Sequence, residues 1–204
     1  MIAIDCVQGT EEWFAARLGV VTASNFHKVL NKKTGRGAYM RKLCAERLTG
    51  CREESYKNDI MEYGNETEPL ARQYYEMANG CKVDEVGFVV RDNMRRENDV
   101  GGSPDGLVGE DGMIEIKCPL SSTHIETILS DKMPTLHIPQ VQGLLWVTER
   151  EWCDFISFDP KVLSHPMFCV RVERDKDYIV NLAANVAVFV KELQEMVNII
   201  KGDF

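Results

Sequence analysis

Apolar residues change their spacing several times along the chain, and each change marks an element. From Thr10 to Gly19, Trp13, Phe14 and Leu18 recur at helical intervals, with Thr10 placed to cap the first turn and Gly19 to stop the last. "VVTASNFHKVLN" predicts a second short helix, with Thr22 or Ser24 as its cap and Phe26, Val29 and Leu30 facing inward. "AYMRKLCAERLTG" predicts a third that ends at Gly50, with Met40, Leu43, Cys44 and Leu48 on one side. A longer helix runs from Asp59 to Met77 and closes on Asn79–Gly80. The period then shortens. "EVGFVVRD" is a strand, and "GGSPDGLVGEDGMIEIKCPL" gives two more around a hairpin turn at "GEDG". "SSTHIETILSD" and "LHIPQVQGLLWVT" return to helix, the second starting after Ile138, because a residue before proline disfavours the α region. "EWCDFISFDP" and "MFCVRVER" alternate partially, as strands do. From Asp175 onward, Ile179, Leu182, Ala183, Val186, Val190, Leu193, Val197 and Ile200 mark a long last helix. With no repeat, low-complexity segment or linker, this order predicts one α/β domain over residues 1–204.

Composition narrows the class. A chain of 204 residues, 44% hydrophobic, can bury a sizeable core. No apolar run is long enough to span a bilayer, and "MIAIDCVQGTEEW" lacks the regions of an export signal, so a soluble, cytoplasmic protein with no membrane contact is expected. Seven scattered cysteines without a Cys-x-x-Cys read as free thiols, and the four histidines show no zinc spacing. The net charge of −8 argues against a general nucleic-acid coat protein. It leaves room for a DNA enzyme with a local basic groove, since charges act over about 8–10 Å at physiological salt.

The chemistry concentrates in one stretch. Asp105 follows Pro104 at a turn, while Glu115 and Lys117, two residues apart in a strand, project to the same side and leave Ile114 and Ile116 to the other. A hairpin at "GEDG" would lay Asp105 beside them. Two carboxylates and an ammonium suit a site that holds Mg²⁺, a hard cation usually bound by one or two carboxylates, waters and substrate phosphate. A plain hairpin with solvated acids fits the same residues. A calcium loop does not, because its alternating acids and terminal glutamate are missing.

"SPDG…IEIKCP" resembles the PD-(D/E)xK nuclease motif in the form used by the phage lambda exonuclease and YqaJ-type viral recombinase family. The likeness extends to "QGTEEWFAARLGVVTASNF", "YMRKLCAERLTG", "YGNETEPLAR" and "PQVQGLLWVT", five blocks in the family's order over residues 8–148. It implies a restriction-endonuclease-like core, a central mixed β-sheet flanked by helices. It implies a metal-dependent 5′→3′ exonuclease that digests one strand of linear double-stranded DNA and leaves a 3′ overhang for a single-strand annealing protein. A phage or prophage origin and a bacterial host cytoplasm go with it, as does a ring-shaped homotrimer, which would reconcile the acidic total with a basic channel.

Carried over by position, Asp105 and Glu115 would be metal ligands with the Ile116 backbone carbonyl, for two Mg²⁺ ions that Mn²⁺ could replace. Lys117 would act on the nucleophilic water, and Glu68 would reach the metal through water. Gln140 would sit beside the site, with Gln142 as the competing choice. Arg17 and Ser24 match residues around the 5′-phosphate, where a guanidinium fork and a hydroxyl suit the ligand. Lys32, Lys33 and Arg36 of "KKTGRG" are DNA-contact candidates, or simply a solvated loop. Taken singly, Glu68 reads as a solvated helix carboxylate, Arg17 as a surface arginine, Ser24 as a cap and the tryptophans as core. Related nucleases that hold an iron–sulfur cluster use closely spaced cysteines, which Cys118 and Cys153 lack, so none is expected.

Overall fold

The computed structural model describes residues 2–31, 33–53, 59–91 and 100–202, with backbone alone at 59–61 and 65; Lys32 lies outside the described residues. In chain order the elements are β1 (Ile2–Ile4), α1 (Glu11–Arg17), β2 (Val21–Thr22), α2 (Phe26–Leu30), α3 (Arg36–Thr49), α4 (Asp59–Asn79), β3 (Val83–Asp84), β4 (Phe88–Val90), β5 (Val100–Gly102), β6 (Gly106–Val108), β7 (Gly112–Lys117), α5 (Ser121–Ser130), α6 (Ile138–Thr148), β8 (Trp152–Phe158), β9 (Met167–Glu173) and α7 (Lys176–Lys201).

The strands form the mixed sheet flanked by helices that was expected, with a second, smaller mixed sheet beside it. One is ordered β3-β6-β7-β8-β9 and the other β1-β4-β5-β2. The first is organised around β7. On one side it pairs antiparallel with β6 across the predicted hairpin, Gly106 opposite Ile114 and Val108 opposite Gly112. On the other it pairs parallel with β8, Glu115 opposite Phe155 and Lys117 opposite Ser157, after a crossover through α5 and α6. The alternation along β7 is as the sequence implies. Ile114 and Ile116 join Ile156, Phe158 and Val83 beneath Ala71 and Tyr75 of α4. Met113, with Cys153 and Phe155, belongs to the larger core built from α2, α3, α6 and α7.

Helix ends follow local chemistry. The Thr10 hydroxyl accepts from the Trp13 N–H, Asp175 accepts from Tyr178 N–H, and Gly50 and Gly80 close their helices at positive φ. On α7 the predicted stripe is buried at Ile179, Leu182, Val186, Val190, Leu193 and Val197, whereas Ile200 is exposed. Two boundaries differ from expectation. Val21–Thr22 is a strand paired parallel with Val100–Gly101, so α2 starts only at Phe26 after a 3₁₀ turn at Ala23–Asn25. Neither Thr22 nor Ser24 caps a helix; their hydroxyls lie 3.3 Å apart instead. And α6 begins at Ile138 itself (φ −52°, ψ −48°), because a 3₁₀ turn at Thr135–His137 already carries the chain into helical geometry.

α6 lies close against the core through a glycine. A Cβ on Gly143 would come within 2.3 Å of the Phe26 ring. The first turn of α6 meets the end of β7 through the hydrogen bond from Gln140 to Glu115. All seven cysteines are unpaired. No helix among the described residues is long and apolar enough to cross a membrane.

Candidate active site

Asp105 stands at the entry to β6, and β7 holds it on two sides. Its N–H donates to the Ile114 carbonyl at 3.2 Å, and the Ile116 N–H donates to its carboxylate Oδ2 at 2.6 Å. Glu115 is 1% exposed. Its Oε1 accepts from the Lys117 ammonium and from the Gln140 amide at 2.5 Å, while its Oε2 is buried with no hydrogen-bond partner among the described residues. Glu68 comes in from α4 and is ion-paired with Arg72 at 2.9 Å. The structure therefore gathers Asp105, Glu115, Lys117 and Gln140, with Glu68 close enough to feel their charge.

Gln142 is excluded from this group. It is 4% exposed, donates to the Glu173 carbonyl and accepts from the Asp175 N–H, joining α6 to the start of α7. About half a turn of helix separates an amide that faces the site from one that holds the fold.

The electrostatics are those of crowded buried acids. Burial, then the charge of Asp105, pushes the Glu115 carboxyl up to about 8. Burial and Asp105 likewise raise Glu68 to about 7, against the pull of Arg72 and Lys117. Asp105 is raised by burial, partly offset by Lys117 and the Ile116 N–H. Burial alone would lower Lys117, but Glu115 and Asp105 outweigh it and hold the ammonium charged.

These residues fit a divalent cation. Among the described residues no group of three or more His, Cys, Asp or Glu side chains is gathered for ligation. An ion here would rest on two carboxylates, a backbone carbonyl and water, a set that suits Mg²⁺. The partnerless Oε2 of Glu115 and the mutual repulsion of Asp105, Glu115 and Glu68 are what a bound cation would relieve.

Arg17 occupies a neighbouring cleft of about 420 Å³ whose lining includes Thr22, Lys28, Lys42 and Arg52, with Glu46 as the acid. Its guanidinium stacks on the Trp13 ring at 4.0 Å and donates to the Ser103 hydroxyl at 3.3 Å; no carboxylate pairs with it among the described residues. Burial lowers Arg17 to about 10, which still leaves it charged near neutrality. Ser24 is exposed and lines a second cleft of about 470 Å³ with His27, Leu136, His137, Pro139 and Gln140. Ser24 does not line the Arg17 cleft itself; its hydroxyl lies 3.3 Å from that of Thr22, which does.

The basic-loop candidates stand apart. Lys33 is exposed at an Asn31-anchored turn. Arg36 points into the body of the protein, ion-paired with Glu192 at 2.6 Å and placed over Phe189.

Sequence reasoning missed Ser103, although it lies two residues before Asp105 inside the quoted motif. It also missed Arg72, which the i, i+4 spacing from Glu68 could have suggested. His137 carried no signal of its own. Burial, then the Lys117 charge, lowers its imidazole to about 4. The unfolded chain takes up a proton near pH 6.5 and the folded one only near 4, so this residue withdraws stability as pH falls through that window. Urea midpoints of His137→Phe and wild type are expected to run parallel above pH 7, with wild type falling more steeply between 6.5 and 4.

A mixed sheet whose central strand carries Glu-x-Lys, with an aspartate locked beside it from the adjoining strand, is the restriction-endonuclease-like nuclease core. The chain belongs to the YqaJ-like viral recombinase domain family, whose model matches residues 12–151. It is similar to LHK-Exo, an alkaline exonuclease from Laribacter hongkongensis: 44% identity over 94% of this chain and 96% of that one, with a TM-score of 0.88. A second LHK-Exo structure, solved with dAMP, superposes equally well. A phage-related exonuclease from Haemophilus somnus 129PT shares the fold, with a TM-score of 0.62 at 16% identity over 89% of this chain and 96% of that one. An uncharacterized protein of Acanthamoeba polyphaga mimivirus, R354, is 26% identical over 114 residues; the match takes in 50% of this chain and only 20% of that protein's length.

Proposed function

We propose that this chain is a DNA exonuclease: Mg²⁺-dependent, acting 5′→3′ on one strand of a linear duplex, and leaving a 3′ single strand. The observation that carries the reading is the buried Oε2 of Glu115, without a hydrogen-bond partner among the described residues, on a carboxylate that Lys117 bonds through Oε1 and that the charge of Asp105 acts on. Asp105, Glu115 and the Ile116 carbonyl would hold the ion, with Glu68 reaching it through water. Bound there, Mg²⁺ would lower the pKa of a water and offset charge on the phosphate in the transition state, an effect of several kcal/mol.

The side chains have separate tasks. Lys117, held charged by Glu115 and Asp105, is a poor base; it orients the attacking water and screens the phosphate. Gln140 fixes the Glu115 oxygen that Lys117 shares. Arg17, with no carboxylate paired to it among the described residues and backed by Trp13 and Ser103, would receive the 5′-terminal phosphate, with Ser24 one hydroxyl contact away through Thr22. Each cut would then present a new terminal phosphate to the same guanidinium, which gives one direction of travel. A ring-shaped homotrimer and a single-strand annealing protein complete the proposal.

The direct test is a linear duplex labelled separately at each end and digested with and without Mg²⁺, beside a covalently closed circle. Loss of the 5′ label first, only with Mg²⁺ and with the circle intact, is the expected result; cutting of the circle would make the enzyme an endonuclease. Arg17→Ala is expected to reduce the preference for 5′-phosphorylated over 5′-hydroxyl ends by about tenfold or more, on the scale of a charge-assisted hydrogen bond to phosphate. Equal discrimination in variant and wild type would remove Arg17 from the phosphate pocket.

A further inference from the structure

We infer that Arg72 is a positioning residue for this site, one that ties Glu68 and the Asp105 turn into a single arrangement; the inference rests on the nuclease reading above. Its guanidinium uses all three nitrogens on three different segments. Nε donates to the Asp105 backbone carbonyl at 3.1 Å, Nη2 to Glu68 Oε1 at 2.9 Å, and Nη1 pairs with Glu85 Oε1 at 3.0 Å. The side chain is only 12% exposed, so solvent does not replace these bonds freely.

The consequence is clearest at Asp105. β7 already holds its N–H and its Oδ2, and Arg72 holds its carbonyl, so the peptide and the carboxylate are both fixed. The same guanidinium fixes Glu68, which would otherwise be repelled by Asp105. α4 is thereby coupled to the turn before β6 at the point where the acids meet. A planar fork can do this; a lysine in its place would supply the charge but one direction of bonding at a time. The Glu85 arm matters least, because that carboxylate is 73% exposed.

The test uses the full chain, a linear duplex and a Mg²⁺ titration. Arg72→Lys is expected to keep a thermal midpoint close to wild type, yet to need about tenfold more Mg²⁺ for half-maximal rate and to lose about 10- to 100-fold in kcat, as loss of a group that orients metal ligands does. KM for the duplex should stay within about twofold, since all three guanidinium nitrogens of Arg72 are engaged with protein groups. Glu85→Ala should leave every one of these values nearly unchanged. In a Glu68→Ala background, Arg72→Lys should cost less than it does alone, because part of its effect passes through Glu68. Wild-type Mg²⁺ dependence and kcat in Arg72→Lys would overturn the inference, as would losses that follow the thermal midpoint alone or that add fully to those of Glu68→Ala. A wild-type protein that digests no duplex with Mg²⁺ would instead overturn the nuclease reading, and this inference with it.

Discussion

Asp105→Ala and Lys117→Ala are each expected to lower Mg²⁺-dependent digestion of a linear duplex by about 10³-fold or more, while duplex binding persists. The two variants fail for different reasons. Asp105→Ala removes one of two carboxylates that would hold the ion and leaves the Ile116 N–H without its acceptor. Lys117→Ala removes the ammonium that screens Glu115 and Asp105, so two buried acids are left facing each other with less opposing charge. Removal of a group whose charge acts chiefly in the transition state appears in kcat more than in KM. Single-turnover digestion with excess enzyme, read beside fluorescence anisotropy of the same duplex, separates chemistry from binding. A variant that keeps a tenth of wild-type rate would place the reaction at other residues.

How far the sequence reached can be judged at particular positions. The hairpin that brings Asp105 to Glu115 was legible because "GEDG" and the i, i+2 spacing of Glu115 and Lys117 are local signals, and local signals survive folding. The long α7 stripe was legible for the same reason. The choice between Gln140 and Gln142 was not, because a helix places residues two apart on different faces and only the direction of α6 decides which face meets the site. The strands β1, β2 and β3 are two or three residues long, too short for alternation to register. Their existence depends on partners far along the chain, as Val21 depends on Val100. Arg36 shows the reverse failure: a basic residue in a glycine-punctuated loop is packed against Phe189 and Glu192 of a helix more than a hundred residues later. No local pattern contains that information. Asp154 is similar, an acid in an apolar strand whose burial is explained only by Arg171 on β9 and Tyr75 on α4, both bonded to it.

Glu115→Gln should separate function from stability. Digestion is expected to fall by about 10³-fold, since an amide is a weak ligand for Mg²⁺. The metal-free protein, however, is expected to become more stable, by about 1–2 kcal/mol near pH 8, because an acid that ionises freely only when the chain unfolds is replaced by a neutral group of the same shape. The sign follows from the direction of the shift. The folded protein holds the Glu115 proton up to about 8, the unfolded chain only to about 4.3, so ionising this group costs the metal-free fold stability as pH rises between those values. The amide cannot ionise, and the cost disappears. Loss of the Lys117–Glu115 ion pair acts in the opposite direction, but Asp105 and Glu68 continue to favour the charged ammonium, so Lys117 is not left alone. Thermal unfolding with chelator and with Mg²⁺ reads both halves. Wild type should gain stability from Mg²⁺ and Glu115→Gln should not, while the chelated variant melts above chelated wild type. A chelated variant that melts lower would mean that Glu115 is buried there to hold Lys117 for the fold, and the partnerless Oε2 would no longer argue for a missing ion.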